Sequence, residues 1–136
     1  MFIFSWELNS AVMERTSEAL SKVVRDFLNN VENISGVYIA TLDGLLIAHA
    51  SRIDADPDRV AAMIASLSAV GDRVSKELLN EDSNHVIVQS STGYIVIKRV
   101  SDLVVGILVQ GGDDSTIGLT MLELERLIAT IQKQLR

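Results

Sequence analysis

The less polar residues recur with helical spacing from Asn9 to about Asn30, at Val12, Met13, Thr16, Ala19, Leu20, Val23, Val24, Phe27 and Leu28. The opposite side carries Glu14, Arg15, Glu18, Lys22, Arg25 and Asp26, an ordinary solvated face. Two strand-like runs follow, Val37 to Leu42 and Leu45 to Ala50, with Asp43-Gly44 between them. That dipeptide predicts a hairpin closed by a type I′ turn, in which both positions take positive φ. Three more runs rich in Val and Ile, His85 to Gln89, Tyr94 to Val100 and Leu103 to Gln110, are joined by links too short for a parallel crossover. They are therefore antiparallel. IVIKRV and LVVGILV lack a clean polar alternation, so both faces of their sheet must be covered. From Thr116 to Arg136 the stripe Ile117, Met121, Leu124, Ile128, Ile131 and Leu135 predicts a closing helix.

Between the two groups of strands lies a helical pattern from Asp56 to Asn80. Asp56 suits the N-cap and Pro57 the first helical position. At about 100° per residue, Val60, Ile64, Leu67, Gly71, Val74 and Leu78 fall on one arc, widened on one flank by Met63 and Val70. This arc is expected to lie on the domain's own core. Ala62, Ala65, Ser66 and Ala69 cluster on the other side, where a solvated helix carries Lys and Glu. Alanine's helix propensity accounts for single positions. A whole arc of small residues predicts an outward surface that another helix or sheet approaches closely.

The element order is α-β-β-α-β-β-β-α. The fold class is α+β, a five-stranded antiparallel sheet with the central helix on one face and the two terminal helices on the other. A chain of 136 residues fits one domain, placed at residues 10–136 with residues 1–9 as an N-terminal extension. Phe2, Phe4 and Trp6 in that extension are expected to pack on the domain.

Net charge is −6 without a basic stripe, which argues against a nucleic-acid partner. The absence of cysteine excludes disulfides and thiolate metal sites and fits a reducing cytoplasm. No apolar run reaches the roughly 18 residues of a membrane span. MFIFSW has neither the basic start nor the cleavage site of a secretory signal. The two histidines, His49 and His85, form no metal-binding pattern and have no evident partner for nucleophilic catalysis. Asp113-Asp114 reads as a solvated turn ahead of a helix. No catalytic residue, cofactor or metal is expected.

SGVYIATLDGLLIAHAS over the first hairpin, DRVAAMIASLSAVGDRVSKEL over the central helix, STGYIVIKRVSDLVVGILV over the last hairpin and IGLTMLELERLIATI at the end together resemble the Roadblock/LC7 domain. The resemblance runs from about Ala11 to Leu135. The apolar MFIFSW departs from it, and no recruiting tail is expected beyond the last helix. It implies a non-enzymatic dimerisation module, paired through the central helix and a neighbouring edge strand. Stand-alone members similar to MglB act on small Ras-like GTPases. Carried onto this chain, the pairing helix is Asp58 to Leu79 and the pairing strand His85 to Gln89. The expected interface is Ala62, Ala65, Ser66, Ala69, Arg73, His85, Val86, Ile87 and Val88, with a homodimer or a heterodimer with a paralogue as the product. Arg73 either reaches a partner's acidic group or is a solvated residue beside Asp72 or Glu77. A small-molecule sensor of the PAS or GAF kind combines similar elements but needs a pocket with convergent polar groups.

Overall fold

The computed structural model describes residues 2–135, with side chains from Glu14 onward. Its elements are α1 (Phe2–Asn30), β1 (Gly36–Thr41), β2 (Leu46–Ser51), α2 (Pro57–Leu79), β3 (Val86–Ser90), β4 (Gly93–Val100), β5 (Leu103–Gln110) and α3 (Asp114–Gln134). Order and type are those expected. The first helix is longer than its apolar pattern, since α1 continues back to Phe2. How Phe2, Phe4 and Trp6 pack lies outside the described side chains.

The sheet runs β2-β1-β5-β4-β3, antiparallel at every pairing. Alternation along each strand sends one set of side chains to each face. On one face Leu20, Val24 and Leu28 of α1 and Leu124, Leu127 and Ile131 of α3 pack with Val37, Ile39, Val96, Val105 and Ile107. Tyr94, buried in this layer, has its hydroxyl 2.9 Å from Thr116 Oγ1 and 2.7 Å from Thr120 Oγ1, so its polar end is satisfied. On the other face Tyr38, Ala40, Ile97 and Val104 meet Ala61 and Ile64 of α2.

The first hairpin forms, but its turn differs from the one expected. Gly44 has φ 90°, while Asp43 is not among the described residues with positive φ. The Gly44 N–H donates to the Thr41 carbonyl at 3.0 Å, and the β1–β2 register slips between Ile39 and Ala40. Only the residue after the turn is left-handed, and the extra residue is absorbed as a bulge.

The ends of α2 follow their caps. Asp56 Oδ1 accepts from the Asp58 N–H at 3.0 Å, and Pro57 opens the helix. Asn80 stops it in the left-handed region at φ 61°.

The orientation of α2 corrects the expectation. Its buried residues are Ala61, Ile64, Ala65 and Ser68. Of the stripe expected inside, only Ile64 is buried. Val60 and Gly71 are half-buried, and Leu67, Val74 and Leu78 are exposed. Of the small arc expected outside, Ala62, Ser66 and Ala69 are exposed, but Ala65 is 4% exposed and belongs to the core. The cause is close approach. A Cβ added to Gly44 would lie 3.2 Å from the Ala62 Cα, and one on Gly106 would lie 3.4 Å from Ile64 Cγ2. A helix this near the sheet has room beneath it for Ala61, Ala65 and Ser68, and its larger side chains are turned outward.

Candidate functional site: an apolar face shared by the central helix and the edge strand

Along its outer flank α2 presents Met63 (50% exposed), Leu67 (38%), Val70 (60%), Val74 (50%) and Leu78 (75%). These fall on one continuous arc at helical spacing. Single exposed apolar residues are ordinary, but five on one flank of one helix mark a contact surface. The strand next to the C-terminal half of α2 continues it. Gly71 and Val86 touch so closely that a Cβ on Gly71 would collide with Val86 Cγ2. Val86 is half-buried, and Ile87 (41%) and Val88 (46%) are exposed. β3 pairs only with β4 and is an edge of the sheet. Its outer N–H and C=O groups form an open template for another strand.

The loop between helix and strand is fastened. Asp72 Oδ1 accepts from the Ser83 hydroxyl at 2.6 Å and from its N–H at 3.2 Å. Arg99 Nη1 lies 3.8 Å from Asp72 Oδ2. Lys76 pairs with Asp82 at 3.2 Å on the surface. Ser83 therefore fixes where β3 begins relative to α2, so the flank and the strand edge hold one geometry.

His85, which opens this segment, points to the other face of the sheet. Its Nε2 lies 3.7 Å from Glu125 Oε1, and Lys98 Nζ lies 2.5 Å from the same oxygen. Nε2 is buried without a hydrogen-bond partner. Burial, and then the Lys98 charge, hold the His85 pKa below its ordinary value, against the pull of Glu125. His85 is thus part of the packing behind β3, and Ile87, opposite Val96 of the α1–α3 layer, lies on that same face, whereas Val86 and Val88 share the face of α2.

The arc formed by Ala62, Ser66 and Ala69 lies beside the apolar flank and is smooth and exposed. The Ser66 hydroxyl donates back to the Ala62 carbonyl at 2.9 Å, which leaves little polar texture there. Arg73 borders this arc, 81% exposed, and pairs with Glu77 at 3.1 Å. Such an exposed i,i+4 pair contributes only about 0.3–0.5 kcal/mol and is easily exchanged for another partner.

Met63, Leu67, Val70, Val74 and Leu78 are the site residues that the sequence pattern did not assign to the outside. Their signal was present in the width of the large arc, which Met63 and Val70 extend beyond what one sheet contact covers. His49, on β2, stacks against Tyr38 with ring centroids 6.3 Å apart and lies away from this face. Among the described residues no group of three or more His, Cys, Asp or Glu side chains converges, and no helix is long and apolar enough to cross a membrane. Asp113 caps α3, and the Ser115 hydroxyl and N–H hold its carboxyl below the usual range. A groove of about 550 Å³ between α1 and α3 lies on the outer layer, not between α2 and the sheet, where Tyr38, Ile64 and Ile97 fill the space.

The backbone is similar to a Roadblock/LC7 domain from Streptomyces avermitilis, with a TM-score of 0.75 at 15% identity over 85% of this chain and 96% of that one. It is similar to Myxococcus xanthus MglB, with a TM-score of 0.69 at 15% identity over 89% and 87%. A third neighbour is the gliding protein MglB from Thermus thermophilus, with a TM-score of 0.71 at 15% identity over 88% and 90%. At these identities the likeness concerns the fold alone. No curated protein matches the sequence. The Roadblock/LC7 domain model matches residues 20–108, which is more than half of the chain. The chain therefore belongs to the Roadblock/LC7 domain family.

Proposed function

We propose that this chain is a self-associating adaptor without chemistry of its own, which binds a small Ras-like GTPase in the cytoplasm and regulates or scaffolds it. The observation that carries this reading is the apolar flank of α2 joined to the unpaired edge of β3. A second copy related by a two-fold axis meets the same patch in itself. Strand β3 beside its equivalent satisfies the open backbone groups and extends the sheet across both subunits. Leu67, Val70 and Val74 then pack against the same residues of the other α2.

Magnitudes show that both parts are needed. The five half-exposed side chains of the flank contribute about 1 kcal/mol each on full burial, about 10 kcal/mol over the two copies. That total is comparable with the roughly 4–15 kcal/mol lost in translational and rotational freedom and leaves little surplus. The helix flank alone does not carry a tight dimer, and the strand pairing supplies the remainder. A paralogue presenting the same flank and edge would fit as well as a second copy.

Ala62, Ser66, Ala69 and Arg73 stay outward in such a pair and are doubled across the axis. They form the platform on which a GTPase is read to sit. In this account the self-association residues are the large flank with Val86, Ile87 and Val88. Ala65 and His85 support the arrangement from inside.

The test is retention of a small Ras-like GTPase from the same genome, loaded with GDP or a GTP analogue, on immobilised chain. Binding in at least one nucleotide state that weakens on Ala69→Glu is expected. No retention in either state contradicts the partner assignment and leaves the dimer to be judged separately.

A further inference from the structure

A second exposed face lies on α3, on the side of the sheet away from α2. Asp114, Gly118, Leu122 and Arg126 follow at intervals of four and form one row along the helix. All four are exposed, Leu122 at 51%, with Leu119 beside it at 60%. Gly118 lies inside the helix, and a Cβ built there would meet nothing within 4 Å. Glycine is a poor helix former compared with alanine, and nothing among the described residues occupies the space it leaves. The row ends in opposite charges. Asp114 is held by the Gln89 amide at 2.7 Å. Arg126, 70% exposed, is paired with Glu123 of its own helix at 3.2 Å.

We infer that this row is a second self-association face, on which α3 of another copy packs antiparallel. Rows of four-residue spacing are those that mesh when helices cross near −50°. About a two-fold axis midway between Gly118 and Leu122 the row meets itself in complementary order. Leu122 of each copy lies over Gly118 of the other, and Arg126 of each lies opposite Asp114 of the other. The same four residues supply hole and knob and both charges, and this self-complementarity selects a second copy over an unrelated helix. The row lies on the other side of the sheet from α2, touches β3 through Gln89 at its Asp114 end, and does not rest on the α2 flank. The two contacts used together build assemblies larger than a dimer. A single helix row is a small contact, so it assembles only at high concentration, at about 100 μM.

The experiment is sedimentation velocity of the full chain up to about that concentration. Gly118→Leu fills the hole without touching its own chain, so helix content by circular dichroism stays unchanged. It is expected to weaken the high-concentration step by about tenfold or more. Arg126→Asp weakens that step too, and Asp114→Arg combined with Arg126→Asp restores it. In a Val74→Asp background, which removes the other face, the chain still pairs at high concentration and adding Gly118→Leu makes it a monomer. Equal sedimentation of Gly118→Leu and the unmodified chain at every concentration overturns the inference, as does a double charge swap that associates no better than Arg126→Asp alone.

Discussion

Among the described residues, α1 and α3 join on one face of the sheet a cluster of eighteen buried residues, most of them Leu, Ile and Val. Against the other, α2 joins a cluster of six that includes Ala40 and Ala61. The thick layer uses its large side chains inward, as a helix covering a core does. The thin layer does so far less: α2 sets Ile64 with the small Ala61, Ala65 and Ser68 on the sheet and leaves Leu67, Val70 and Val74 outside. A helix that hides its small residues and shows its large ones has its larger hydrophobic gain still to come. The proposed contact with a second copy would supply that gain.

The sharpest way to break this contrast is to truncate one leucine in each layer. Leu124, 0% exposed, lies in the thick core, and Leu124→Ala is expected to lower unfolding stability by about 2–5 kcal/mol. Leu67→Ala, measured in dilute solution by chemical denaturation, is expected to lower it by about 1 kcal/mol or less. Equal losses would mean that the two layers do not differ as described.

A smaller effect concerns pH. His85 lies beside Glu125 of α3 and within reach of the Lys98 charge of β4, and burial with that charge holds its folded pKa below the unfolded value of about 6.5. The unfolded chain therefore binds more protons as pH falls, so the His85 contribution is complete above about 6.5 and is lost below it. Denaturation midpoints at pH 7.5 and 6 are expected to differ less in His85→Gln than in the unmodified chain. A larger difference in the variant would assign His85 the wrong sign.

The element order was legible because short connections and turn residues leave few topologies, and because the apolar runs of β4 and β5 require cover on both faces. Which way α2 faces was not legible. A helical pattern distinguishes a large arc from a small one, but the sheet chooses between them by fit. Gly44 and Gly106 bring the helix so close that alanine suits the contact, and neither residue shows from its place in the sequence that it lies beneath a helix. The edge strand was placed correctly, yet His85 faces α3 because alternation fixes its side only once the register of β3 against β4 is known. The substitution Ala65→Arg, a natural probe of an outward arc, would put a charge into the core and report on folding instead of assembly.

The most direct test of the central claim is the mass of the chain by light scattering at about 5 μM, well below the range in which the α3 row assembles. The account predicts twice the chain mass for the unmodified protein. It predicts a single chain mass for Val74→Asp, with helix content unchanged, because Val74 is half exposed and its replacement disturbs no buried contact. An unmodified chain that is monomeric at this concentration, or a Val74→Asp variant that keeps the full mass, would contradict it.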